Sequence, residues 1–213
     1  MLKIVMLSGG LESTCLLFRE LKELKTEDSL FVYHVSLINS ENRFKAEAIA
    51  VKKIVEFARK YGDFVFNKSA VEYNDVLGSG YCGIDIHSLA FMAGHFAKHI
   101  AVAFGTLNLE VLLGACVEEE NPEDFFDDYR YKIFLEFFRT HFLQEKDRGL
   151  QIPKIHFPYI YEGIREQIKF VPEEVKQFVI SCRRPVEIGE TFTRCGFCYT
   201  CQKIQKLKLE GIL

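Results

Sequence analysis

The 213-residue chain has no apolar run long enough to span a bilayer, because its most apolar segment, residues 87–104, is broken by His95, Lys98 and His99. A membrane span is therefore not expected. The first apolar run, Leu2 to Leu7, is short and lacks a small-residue cleavage site, so no export signal is expected and the cytoplasm is the expected compartment. Positive charge is not in excess: 27 Lys and Arg against 30 Asp and Glu give a net charge of −3, which removes any global reason to require a nucleic acid. Tryptophan is absent, and the aromatic part of any core must come from 20 Phe and 9 Tyr. The two commonest phosphate-loop signatures are missing too: no third glycine completes a dinucleotide fingerprint, and no Gly-Lys-Ser/Thr marks a P-loop. Without an export signal the 7 cysteines point to metal or thiol chemistry rather than disulfides.

What is present begins at the amino terminus. The run Leu2 to Leu7 stops at Ser8-Gly9-Gly10, and an amphipathic segment with Leu17, Leu21 and Leu24 on one face follows at once. This predicts a strand, a tight turn and a helix. Two glycines let the backbone approach a ligand closely, and the new helix offers unpaired N–H groups and the positive end of its dipole, so the corner suits a phosphate. Ser-Gly-Gly alone is an ordinary turn. Its place in the first strand-to-helix connection, with hydroxyls at Ser13 and Thr14, makes it a nucleotide site.

A second strand is expected at Ser29 to Leu37, a helix at Glu41 to Tyr61 and a third strand at Asp63 to Phe66. The Gly-rich stretch Gly78 to Gly83, including Cys82, suits a loop. An apolar helix is expected at Ile86 to Phe104 and a buried strand at Glu110 to Val117, with Gly114 placed where a ligand can approach. The acidic run Glu118 to Asp128 reads as a solvated loop and helix start. A helix from Asp124 to about Leu143 would carry Phe126, Tyr129, Ile133 and Phe137 on one face. A last strand is expected at Lys154 to Ile160, and two short helices between Glu162 and Ile180 meet at Pro172. This alternation predicts an α/β fold: a doubly wound, mostly parallel, five-stranded, Rossmann-like sheet, binding ligands at the carboxyl ends of its strands. Residues 1–170 would form the nucleotide-binding domain and residues 171–213 a metal-binding lobe packed on it.

That lobe rests on Cys182, Cys195, Cys198 and Cys201, spaced C-x12-C-x2-C-x2-C. C-x-x-C lets two sulfurs reach one ion while the turn, eased by Gly196, aims backbone N–H groups at them. Zinc in a closed tetrahedral site is the first reading and a [4Fe–4S] cluster the competitor. Cys15, Cys82 and Cys116 lack such spacing and read as core thiols. The cations near the knuckle, Arg183, Arg184, Arg194, Lys203, Lys206 and Lys208, suit either RNA or a solvated tail helix.

The segment Ser8-Gly9-Gly10-Leu11-Glu12-Ser13-Thr14 resembles the SGGxDS loop of the PP-loop ATP pyrophosphatases. Joined to Cys182 and Cys195-Gly196-Phe197-Cys198-Tyr199-Thr200-Cys201, it is similar to the 7-cyano-7-deazaguanine synthases across essentially the whole chain. Glu12 stands where that family has Asp, and Gly83-Ile84-Asp85-Ile86-His87-Ser88 where it carries an Arg-Asn pair after a proline. Asp128-Tyr129-Arg130 resembles its Asp-Cys-Arg. The resemblance implies a PP-loop fold, a homodimer, and ATP, Mg2+ and Zn2+ as cofactors. It implies adenylation of the carboxylate of 7-carboxy-7-deazaguanine or a related acid, then attack by ammonia to give an amide and finally a nitrile. On this reading Ser8, Glu12, Ser13 and Arg130 serve catalysis, and Ser8 through Thr14 hold the nucleotide. Two alternatives stay open: a PP-loop enzyme with a protein or tRNA acceptor, including a tRNA thiolase, and a nucleotide-binding protein that has lost catalytic groups.

Overall fold

A computed structural model describes residues 1–39, 43–72, 85–115, 132, 135, 136, 138, 139, 142, 152–189 and 191–213, with the backbone alone at 85 and 86. Five strands, β1 (Leu2–Met6), β2 (Ser29–Ile38), β3 (Val65–Glu72), β4 (Leu109–Leu113) and β5 (Lys154–His156), form one sheet in the order β3-β2-β1-β4-β5. Every pairing in it is parallel. Period-two alternation sorts the two faces. Val5, Leu7, Leu30, Val32 and Leu112 join one core, whereas Ile4, Met6, Phe31, Tyr33 and Val111 join the other.

Helices α1 (Leu11–Glu23) and α2 (Phe44–Ala58) cover the first face. Helix α3 (Asp85–Phe104) covers the second with Ala90, Ala93 and Ala97, and residues 132, 135, 136, 138, 139 and 142 are helical beside it. A Cβ at Gly94 would lie 2.7 Å from the Phe138 carbonyl oxygen, so glycine there lets the two backbones meet. Of that last helix, Phe138 and Phe142 reach the core. The face expected from Phe126, Tyr129, Ile133 and Phe137 lies outside the described residues, as do the acidic run 118–128, Cys82, Cys116 and Gly78 to Gly83.

Several boundaries differ from expectation for local reasons. Strand β3 runs to Glu72 although Asn67, Lys68 and Ser69 are polar, because it is an edge strand with one flank in water. β5 is shorter than expected, since Pro158 cannot donate to a ladder and a turn from Phe157 to Glu162 replaces it. After it come α4 (Ile164–Gln167), a single 3-10 turn (Ile168–Phe170), α5 (Glu173–Lys176), an antiparallel hairpin of β6 (Val186–Ile188) and β7 (Thr191–Thr193), and α6 (Tyr199–Leu209). Ile168, Val171, Val175, Val179, Ile204 and Leu207 complete the same core as α1 and α2. No helix among the described residues is long and apolar enough to cross a membrane.

His34 is buried in β2, its Nδ1 2.8 Å from the Leu7 carbonyl and its Nε2 3.1 Å from Ser36 Oγ. Burial lowers its pKa below the ordinary 6.5, against the raising effect of the Leu7 carbonyl. The folded chain therefore binds fewer protons than the unfolded one near that pH. The stability gained from the neutral ring is complete above about 6.5 and is lost as pH falls toward the folded value. Urea midpoints should accordingly drop between about pH 7.5 and pH 5.5. The drop should shrink in His34→Asn, which keeps an N–H for Leu7 but cannot titrate; an equal drop in both proteins would contradict this role.

Candidate functional site

The strand order reverses at β1, whose neighbours β2 and β4 lead to opposite sides of the sheet. The crevice beyond its carboxyl end is where such sheets bind ligands. Residues 8–10 turn the chain there. Gly9 has φ +82°, which a side chain would strain, and a Cβ on it would press within 3.2–3.3 Å of Val51, Ala50 and the Glu47 carbonyl of α2.

The hydroxyls organise this bend. Ser13 Oγ accepts the Ser8 N–H at 3.2 Å and lies 3.0 Å from Ser8 Oγ, which in turn accepts the Gly10 N–H at 3.2 Å. Ser8 is exposed and Ser13 buried. Both face a cavity of about 160 Å3 lined mostly by Met6, Leu7, Tyr33, Val35, Leu89, Leu113 and Phe157. Its apolar walls and small volume suit one flat heterocycle beside a polar group.

Other predicted loop residues take different places. Thr14 is fully buried and donates its hydroxyl to the Gly10 carbonyl at 2.7 Å, so it braces the helix start from within. The Leu11 side chain is in the core, leaving only its backbone for a ligand, and its N–H is accepted by Ser181 Oγ at 3.0 Å. Glu12 pairs with Lys203 of α6 at 3.1 Å. The two side chains are 24% and 16% exposed, so the pair is partly shielded from water and sets the charge at the loop. Asp128, Tyr129 and Arg130 lie outside the described residues.

Gly114 lines the same cavity, as expected of a point of close approach. A Cβ there would lie 2.6 Å from the Glu12 carbonyl oxygen and from Ser13 Cα and N, so the first turn of α1 packs directly on it as well. The end of β4 thus seats the loop.

The four cysteines do converge. The sulfurs of Cys182, Cys195, Cys198 and Cys201 all lie within 4.8 Å of one another, close enough to hold one metal ion between them. Cys195 and Cys201 are 3.9 Å apart, and Cys198 and Cys182 4.0 Å. Gly196 at φ +82° turns the knuckle so that the Cys198 N–H reaches Cys195 Sγ at 3.4 Å, and the Cys195 N–H reaches Cys182 Sγ at 3.3 Å. Burial pushes the Cys201 thiol up to about 12. For Cys198, burial would also raise it, but hydrogen bonds with the Thr200 hydroxyl and from the Arg183 and Cys201 backbones prevail and bring it down to about 6.

No protein-family model matches the chain, and no curated protein matches its sequence. Among solved structures, the U34-tRNA thiolase NcsA from Methanococcus maripaludis with its [4Fe-4S] cluster aligns with a TM-score of 0.45 and 13% identity. The alignment covers 99% of this chain and 66% of that one.

Two residues beside the loop escaped the sequence reading. Ser181 carries no motif, although it directly precedes the first metal ligand. Lys203 was grouped with the tail cations as RNA-facing or solvated, yet it reaches Glu12. Arg194 of the same group turns inward as well, donating to the Val179 carbonyl at 3.1 Å.

Proposed function

We propose that this chain is an ATP-using enzyme of the PP-loop type that transfers AMP to the carboxylate of a small acid related to 7-carboxy-7-deazaguanine, for attack by ammonia. The observation that carries this reading is the glycine bend at the switch point of the sheet, opening with Ser8 and Ser13 on a cavity the size of one heterocycle. A carboxylate needs no base to attack phosphorus, so the protein's task is to position it and neutralise the leaving group. The acid oxygen attacks the α-phosphorus as the bond to pyrophosphate breaks, giving an acyl adenylate. Ammonia then displaces AMP and loses a proton to leave an amide. A second AMP transfer from ATP to the amide oxygen releases pyrophosphate, and loss of AMP and both amide protons then gives the nitrile. In this scheme Ser8, Ser13 and the N–H groups from Gly9 onward hold the phosphates. Glu12 is the carboxylate for Mg2+, whose charge neutralises the triphosphate, and Arg130 is the further cation.

Zinc is the metal we assign to the cysteine site. Tetrahedral Zn–S bonds of about 2.3 Å place sulfurs roughly 3.8 Å apart. The observed pairs at 3.9 and 4.0 Å fit that spacing. A [4Fe–4S] cube puts each thiolate on a different iron and so needs the sulfurs spread wider.

A second reading keeps the same ATP chemistry with a tRNA or protein acceptor. It is favoured by Phe197 and Tyr199, each 63% exposed at the knuckle, which offer stacking faces to unpaired bases. MgATP with 7-carboxy-7-deazaguanine and ammonium should release AMP and pyrophosphate, and mass spectrometry should find the amide and nitrile. Release of AMP only when tRNA or a protein acceptor is added would select the second reading. ATP binding without any release would overturn both.

A further inference from the structure

We propose that the metal lobe completes the phosphate loop: Ser181 and Lys203 are positioning residues for a bound triphosphate, and their own placement is set by the metal ligands beside them. This rests on the nucleotide reading of the loop given above.

Three of the four ligands lie within two residues of one that reaches the loop or the segment lying on it. Next to Cys182, Ser181 Oγ accepts the Leu11 N–H at 3.0 Å, and the Ile180 N–H donates to the Gly9 carbonyl at 2.9 Å. Next to Cys195, Arg194 holds the Val179 carbonyl at 3.1 Å and so fixes the approach to those two contacts. Two residues beyond Cys201, Lys203 meets Glu12 at 3.1 Å.

Each contact has a consequence for an anion. Leu11 is the first residue of α1, and its N–H is one of the donors a helix leaves unpaired. A neutral hydroxyl there orients the first turn without bringing a negative charge to the place where a phosphate would lie. The Ile180 contact pins the carbonyl of Gly9, the residue at φ +82°, and so fixes which way its peptide planes face. Lys203 pairs with Glu12 and so fixes where the carboxylate assigned to Mg2+ stands. The hairpin of β6 and β7 that links Cys182 to Cys195 is largely exposed and has little core of its own, so the ion is what holds these segments in register.

The test compares metal-loaded protein, chelated protein, and the metal-loaded variants Ser181→Ala, Lys203→Ala and Lys203→Arg. Two readouts are followed: hydrogen exchange of residues 9–14 and MgATP affinity by calorimetry. Removing the metal should speed exchange across the loop, and Ser181→Ala should speed it at Leu11 with the metal retained. MgATP should bind about tenfold more weakly in Ser181→Ala and Lys203→Ala, and Lys203→Arg should recover most of the loss. If wild-type protein binds MgATP and the chelated and substituted forms bind it equally with unchanged exchange, the coupling is wrong and the nucleotide reading stands. If wild-type protein binds no MgATP, the nucleotide reading fails. Unchanged exchange would then overturn the coupling as well, and faster exchange would retain it as a structural link.

Discussion

Gly114→Val is expected to cost about 3 kcal/mol or more and to remove nucleotide binding, because the new side chain begins inside the backbone of α1. Its Cβ would sit 2.6 Å from three main-chain atoms of Glu12 and Ser13. A flexible side chain could swing aside, but main chain cannot. Either the first turn of α1 shifts, breaking the hydrogen bonds among Ser8, Gly10 and Ser13, or β4 moves out of register with β1. Gly163→Ala is the control, since nothing lies within 4 Å of its Cβ and φ is not positive there; about 0.5 kcal/mol is the most it should lose. Urea unfolding and MgATP titration of both proteins check this. A Gly114→Val protein with wild-type midpoint and affinity would mean that the seat of the loop is elsewhere.

Cys201→Ala should lose the bound metal and with it the order of the carboxyl-terminal lobe. Structural metal binding of this kind is worth on the order of 10 kcal/mol, more than the hairpin and one short helix can supply without it. Cys201 lies on the same helix as Ile204 and Leu207, so releasing its sulfur also loosens two residues of the main core. Elemental analysis of wild-type protein should find about one zinc per chain and no iron. Cys15→Ala, a buried thiol within α1, should keep the metal and lose only the packing of a small group. Four irons per chain, or full metal in Cys201→Ala, would reverse the assignment.

Much of the scaffold was legible because it rests on local chemistry. The apolar run from Leu2 to Leu7 marks β1 because both faces of that strand are buried, and α1 follows from the spacing of Leu17 and Leu21. The cysteine cluster was legible for a stricter reason, since one ion dictates the spacing of its donors. What could not be read was set by contacts with no local pattern. Ser181 meets Leu11 across 170 residues, and Lys203 meets Glu12 across 191. Gly114 was recognised as a point of close approach, but which chain approaches is decided only when α1 folds back over β4. Strand β3 was cut short because its polar residues match no buried pattern, although its ladder with β2 forms regardless.

The shared core of α1, α2 and the carboxyl-terminal helices has a consequence during synthesis. The apolar flank of α1 and α2 leaves the ribosome well before Ile204 and Leu207, which help to cover it. At ordinary elongation rates it stays wet for roughly ten to thirty seconds. The nascent chain is therefore most exposed to aggregation and to chaperones in that interval, and premature termination before the cysteine knuckle would leave it there permanently.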